Sequence, residues 1–517
     1  MRCRRSWCGD DPPVIELSAL LHPGVYRGRK FGDMRIRIAV ACLILCAPLL
    51  FAQGLKESVT VEVVDVPVYV YHPGGGPIRT LTKENFELFV NGKRQTIEYF
   101  DTVDFSAVPK PQQQQETATV ARDPRERRLF LLVFDLVFTR ADAITRAQKA
   151  AVAMIDRGSP SDYFAVVTFT HNNGAQFLVP FTNDHAVARH AAYTLSESPG
   201  KDPLSIAISA SARKAVEGYT LADGDRTMQP TVNTLQRETA DAANRMMPLK
   251  RLIENQVLDF DAIATRLAQL EGYKHVVLLS EGFSPGAVYS NPYTTDNAMV
   301  DAMKDMFSSF KRANVVIDAI DLGHPDRNSF MNDALRMMAQ ETGGQFVRHT
   351  NDFTAALKEI SDVTAFGYHL GFTPRDARKG DNKIEVKLRN APKGATLSFR
   401  RGFSNTPALV DSSDGLHLAD ILLNDIPQAG IPPKLEFRVR PFIDVDVTPE
   451  MLAEGPATVL LYVFDENGIV VEFKQQYVSN AGIVRGKLDL PSGKYMVKVL
   501  LQSGDSIGFA KRAILIP

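Results

Sequence analysis

Three hydrophobic patterns succeed one another along the chain. From Val59 to Tyr71 apolar and polar residues alternate with a period of two; the run turns at Gly74–Pro77 and resumes through Phe86–Val90, which predicts a β-sandwich segment over residues 56–105. Gly74-Gly75-Gly76 reads as a turn rather than a phosphate loop, because no Lys-Ser/Thr follows and no helix opens there. A polar stretch at 106–127, with Pro109 and Pro111, predicts a linker. The pattern then changes to short continuous apolar runs, Arg128–Asp135, Tyr163–Phe169, Gln176–Phe181, Lys274–Ser280, Asn314–Ile320 and Gln345–Val347. Most are separated by helical stretches, of which Ala141–Ile155 is the first. Runs without alternation belong to strands covered on both faces. Residues 128–365 are therefore predicted to form a doubly wound, mostly parallel α/β sheet. Asn173-Gly174 is a strong hairpin signal, so one edge strand is expected to run antiparallel.

Alternation returns in 366–405, where short strands at Gly367–Thr373, Lys383–Leu388 and Thr396–Phe403 are expected to join the N-terminal sandwich. Residues 406–433 read as a second linker. The strands Ala457–Phe464, Val470–Phe473 and Tyr495–Leu501 predict a C-terminal β-sandwich over 434–517. The section 209–260 is long for one connection; Gly218–Pro230 reads as an exposed insertion between helical pieces. Its Asp223 and Asp225 read as a solvated turn, because the wider calcium-loop pattern is missing.

Met34-Arg35-Ile36-Arg37 leads into the apolar Ile38–Ala52. A basic flank, a core of roughly a dozen apolar residues and a closing small residue describe an export signal at 34–52, too short to span a bilayer comfortably. Residues 1–33 read as an over-extended start. The four cysteines, Cys3, Cys8, Cys42 and Cys46, all lie before the expected cut, so the exported chain would have neither disulfides nor cysteine-bound zinc. Leu45 stands where a lipoprotein signal wants a small residue, which argues against Cys46 as a lipid anchor. Membrane association is left open.

Composition excludes more than it identifies. The 517 residues are 44% hydrophobic and 23% charged, an ordinary globular balance. The formal charge of −1 lacks the basic excess of a nucleic-acid binder. Removing residues 1–52 takes eight Lys/Arg from 59 and four Asp/Glu from 60, leaving 51 against 56, or −5. Ser280-Glu281-Gly282 is not part of a Gly-x-Ser-x-Gly elbow, and none of the ten histidines forms a His-Glu-x-x-His pair. An enzyme is not expected. His275, ahead of an apolar strand, reads as structural, and the methionines Met246, Met247 and Met331–Met338 read as helix-core filler.

The candidate chemistry sits where strands end. Asp135 closes the run Leu131–Phe134, and in open α/β sheets the carboxyl ends of strands are where ligands bind. Phe134-Asp135, Ser161-Asp162-Tyr163 and Val277–Gly282 together resemble a von Willebrand factor type A domain. With Leu81–Leu88, Asn91-Gly92-Lys93, Tyr368–Thr373 and Arg401-Gly402-Phe403, residues 56–405 resemble a bacterial secreted family related to that domain. The resemblance implies a metal-ion-dependent adhesion site, built from Asp-x-Ser-x-Ser, a later Thr and a second Asp around magnesium. Here Asp135 matches the first carboxylate, Val137 replaces the first serine, Thr139 keeps the second hydroxyl, Asp202 stands at the threonine position and Glu281 replaces the last aspartate. Two readings stay open: Asp135, Thr139, Asp202 and Glu281 hold Mg2+ or another divalent cation in an altered geometry, or the site has decayed and these residues cap strand and helix ends. Asp321 is placed on the rim of the same crevice.

The expected function is that of an exported protein of the periplasm, cell envelope or surface, non-enzymatic, using a degenerate adhesion site to bind a protein partner. The alternative is a metal-free envelope scaffold that binds through the insertion or the C-terminal sandwich. An exported hydrolase is the least supported reading, for want of a nucleophile and base.

Overall fold

The computed structural model describes residues 63–106, 124–195 except 172, 234–283, 297–324, 333–438 except 349, 376, 407–410 and 412, and 442–517. The first sheet-forming residues are β1 (Val64–His72), β2 (Gly76–Pro77), β3 (Phe86–Val90), β4 (Lys93–Gln95) and β5 (Tyr99–Asp104). In β1 the residues at even positions, Val64 to Val70, face one core, while Tyr69 and Tyr71 face the other way. That is the period-two rule of a pleated strand.

The central layer follows as β6 (Arg128–Asp135), α1 (Ala141–Asp156), β7 (Asp162–Thr170), β8 (Gly174–Thr182), α2 (His185–Thr194), α3 (Thr234–Leu267), β9 (Tyr273–Ser280), α4 (Asn297–Ala313), β10 (Val315–Asp321), α5 (Asp333–Thr342), β11 (Phe346–Val347) and α6 (Phe353–Val363). Its six strands lie in the order β11-β10-β9-β6-β7-β8. All neighbours pair in parallel except β7 and β8, which are antiparallel. Every residue of β6 is buried. Leu129, Leu131 and Val133 pack under α3, α4 and α5, whereas Phe130, Leu132 and Phe134 pack under α1, α2 and α6. Two-sided burial explains why these strands read as unbroken apolar runs.

The chain then returns to its beginning. β12 (Phe366–Phe372) and β14 (Thr396–Phe399) flank β1, giving the sheet β14-β1-β12-β5, and β13 (Asp381–Leu388) joins β15 (Gly402–Ser404) and β3 in β15-β13-β3-β4. Tyr368 ties the two sheets from inside: its hydroxyl donates to Ile78 O at 2.8 Å and accepts from Leu81 N at 3.1 Å. Where this unit meets the central layer, Gly343 has φ +89° and a Cβ there would stand 1.9 Å from Phe399 O, so a side chain has no room.

The structure corrects one expectation. Residues 406–433 are not a plain linker, because they contain the helix α7 (Gly415–Asn424). Leu416 and Ala419 enter the core of the central layer, while Leu418, Ile421 and Leu422 pack on the outer face of a C-terminal sheet. A short helix apolar on two sides shows no single stripe, so periodicity missed it. Asp414 caps its start, accepting from Leu416 N and His417 N. Of the long connection 209–260, the part from Thr234 belongs to α3, whose Ile253, Val257, Phe260, Ile263 and Leu267 line the core at helical spacing, while the Gly218–Pro230 insertion lies outside the described residues. Residues 196–233, including Asp223 and Asp225, lie outside the described residues.

The remaining strands are β16 (Lys434–Arg438), β17 (Phe442–Val447), β18 (Ala457–Phe464), β19 (Val470–Val478), β20 (Gly482–Lys487), β21 (Gly493–Ser503) and β22 (Ser506–Ile516). They form two antiparallel sheets, β16-β17-β20 and β19-β18-β21-β22. In β18, Val459, Leu461 and Val463 face the space between the sheets, and Leu460, Tyr462 and Phe464 face α7.

Two buried arginines anchor these layers. Arg127 makes a two-pronged pair with Asp420 of α7, at 2.7 and 2.5 Å. Arg128 pairs with Asp162 at 2.7 and 2.8 Å and also donates to Ser361 O and Thr364 Oγ1. Breaking a buried pair from one side leaves a charge without compensation. Asp420→Ala should therefore lower unfolding free energy in a urea titration by about 3–5 kcal/mol, and Arg127→Met combined with Asp420→Leu should recover most of the loss.

Candidate functional site

The loops after β6 and β9 meet at the carboxyl edge of the sheet. Asp135, 1% exposed, organises them. Its Oδ1 accepts from the backbone N–H groups of Val137 and Phe138, both at 3.0 Å, and so shapes the turn after the strand. Its Oδ2 accepts from Ser280 Oγ at 2.5 Å, and Gln256 of α3 adds a side-chain hydrogen bond. Ser280 Oγ accepts in turn from Gly282 N at 2.8 Å. Gly282 has φ +71°, a conformation that favours glycine.

Thr139 and Glu281 complete the cluster. Thr139 Oγ1 accepts from Glu281 N at 3.1 Å. Glu281 is buried, and its Oε1 accepts from Arg140 Nε at 2.8 Å and from Arg140 N at 3.3 Å. The structure thus brings Asp135, Thr139 and Glu281 together; Asp202 lies outside the described residues. Val137 packs against the hydrophobic core. Among the described residues no group of three or more His, Cys, Asp or Glu side chains is placed to hold a metal ion.

The two carboxylates live in different fields. Burial pushes the Asp135 carboxyl above the usual carboxylate range, opposed by Ser280, Gln256 and the two loop amides. Glu281 faces a guanidinium, and the hydrogen bond and charge of Glu281 raise the pKa of Arg140 further. Arg140 is the cation of this cluster. Sequence reading overlooked it, although it follows Thr139 directly at the N-cap of α1. Gln256 was overlooked because it reaches the site from a helix more than a hundred residues along the chain.

Neighbouring polar residues take separate roles. Asp321 is buried opposite Ser280 in the β9–β10 register and accepts from Gly323 N at 2.8 Å. Asp318 instead accepts from Gln345 N at 2.8 Å and pairs with His275 Nδ1 at 3.1 Å, while His275 Nε2 lies 3.4 Å from Tyr69 Oη. His275 is a buried link between the central sheet and β1.

No family model and no curated protein matches the chain. Among solved structures it is similar to an aerotolerance-related membrane protein from Bacteroides fragilis NCTC 9343, at 14% identity and TM-score 0.24, over 46% of this chain and 98% of that one. It is also similar to the conserved hypothetical protein BatB from Bacteroides thetaiotaomicron, at 11% identity and TM-score 0.23, over 46% and 98%. A third likeness is to three N-terminal domains of the type V pili tip protein Mfa5 from Porphyromonas gingivalis, at 11% identity and TM-score 0.23, over 87% and 95%. At such scores these likenesses carry no argument about function.

The burial of Asp135 has a measurable consequence. A carboxyl with a raised folded-state pKa binds its proton more tightly folded than unfolded, so it weakens the fold at neutral pH, and the penalty lifts as pH falls through the raised value. Asp135→Asn keeps an acceptor for the two loop amides. It should melt higher than the wild type at about pH 8, with the difference shrinking toward about pH 4. Parallel melting profiles across that range would contradict this account of the site.

Proposed function

We propose that this chain is an exported, non-enzymatic interaction protein whose central layer is a doubly wound, von Willebrand A-like domain working without a metal ion. The observation that carries this reading is the contact of Arg140 with Glu281. A guanidinium already supplies the positive charge that a divalent cation would bring to these carboxylates, and Asp135 is fully engaged with its own loop and Ser280. Val137, packed against the core, offers no hydroxyl. Leu136, Arg140 and Asp142 reach solvent at the rim. They form a mixed apolar and charged surface suited to a protein partner.

Export is supported by the basic-then-apolar pattern of Met34–Ala52. The absence of catalysis is supported by the surroundings of His275. Its partner hydroxyl belongs to Tyr69, whose pKa burial raises, the opposite of what an activated nucleophile needs. A second reading, a scaffold that binds through its C-terminal sandwich, is favoured by one feature: Ile469, Val471, Phe473, Tyr477 and Ile483 are exposed on and beside β19 and β20.

Titration of the purified protein with Mg2+ or Mn2+ should leave its melting temperature unchanged, as should chelation. A saturable rise that disappears in Asp135→Ala would overturn the metal-free reading in favour of a working adhesion site. To separate the two surfaces, a partner captured from the native envelope fraction should be lost with Leu136→Asp and kept with Phe473→Asp. The reverse result would move binding to the C-terminal sandwich.

A further inference from the structure

A cavity of about 340 Å³ lies at the opposite end of β9 from Ser280, where the starts of β9 and β10 face β1 and β14. Three cations line it, Lys274, Arg312 and Arg400, against one carboxylate, Asp65. Lys274 and Arg400 are each 8% exposed. Lys274 Nζ donates to Leu267 O at 3.1 Å and Leu270 O at 2.8 Å, both neutral carbonyls at the end of α3. Arg400 donates to Asn314 Oδ1 and to the backbone carbonyl of Asp65, and its Nε is buried without a hydrogen-bond partner. Arg312 donates to Ser309 Oγ at 2.7 Å. Asp65 is engaged by His369 at 2.8 Å. Among the described residues none of the three cations is ion-paired with a carboxylate.

Buried cations whose hydrogen bonds go only to neutral acceptors are costly. Lys274 is pushed down to about 7, by burial first and then by the charges of Arg127 and Arg400, and burial brings Arg400 down to about 10 against the opposing charge of Asp65. An anion is the species that would relieve both effects. The rest of the lining includes Tyr69, Tyr273, Phe399 and Phe403, so the space suits more than a bare ion. Its volume falls at the small end of ligand pockets.

We infer that this cavity is a binding site for a small oxyanion, a carboxylate or phosphate group carried on a compact, partly aromatic body, held by Lys274, Arg312 and Arg400. The site is independent of the strand-end crevice, since the eight-residue strand β9 sets the two roughly 20 Å apart. Calorimetry on the whole protein at fixed ionic strength tests it with inorganic phosphate, benzoate and phenyl phosphate as probes. Saturable binding is expected for phenyl phosphate or benzoate, weakened about tenfold or more by Arg312→Gln and strengthened by Asp65→Asn. Arg312 and Asp65 are the less buried of the charged residues that line it, so both variants should keep the wild-type melting temperature. Binding of none of the probes, or binding indifferent to both substitutions, would overturn the inference.

Discussion

Two adjacent arginines at the start of β6 hold the rest of the structure in place. Successive residues of a strand point to opposite faces, so Arg127 and Arg128 reach in opposite directions from one point of the backbone. Arg127 crosses to Asp420 on α7, with its guanidinium 5.2 Å from the ring of Tyr163. Arg128 grips Asp162 and the end of α6, with its guanidinium 5.3 Å from the ring of Phe105 beside β5. A buried guanidinium must find its partners or cost several kcal/mol. That requirement ties the C-terminal helix to one face of the central sheet and α6 to the other, where the ring of Phe105 lies over the Arg128 guanidinium.

Seen this way, α7 is a structural wedge. It has apolar residues for the central core and others for the outer face of β18 and β21. Its polar residues serve the same joint: Asp414 accepts from Arg266 at 2.7 Å, Asn424 donates to Phe181 O at 2.8 Å, and Lys498 of β21 donates to Leu422 O at 2.5 Å. The two ends of the central sheet are then left in opposite electrostatic states. At the carboxyl end the carboxylates meet donors: Asp135 those of its own loop, Ser280 and Gln256, and Glu281 those of Arg140. At the amino end the excess is cationic and only partly answered. Burial acts on both, raising the pKa of an acid at one end and lowering those of bases at the other.

Local pattern carried much of the architecture. The run Arg128–Asp135 and the strand observed over the same residues coincide, as do the predicted Ala141–Ile155 and the helix Ala141–Asp156. Asn173-Gly174 indicated the antiparallel turn into β8. These features are legible because side-chain period and turn chemistry are properties of neighbouring residues. The wedge helix was not legible, since its two apolar sides are each justified by a different module. Nor was the core role of α3, which a long connection of mixed composition obscured.

The site divides along the same line. The sequence alone determined that Asp135, Thr139 and Glu281 stand at strand ends, and that Val137 removes a hydroxyl from the pattern the chain resembles, because position along a strand follows from local periodicity. Only the tertiary structure decided what those groups touch. Ser280 and Gln256 reach Asp135, Arg140 turns onto Glu281, and Lys274 and Arg400 line one cavity from two modules, all residues far apart in the chain. Charge compensation in a buried site depends on such distances, and no spacing along a sequence encodes them.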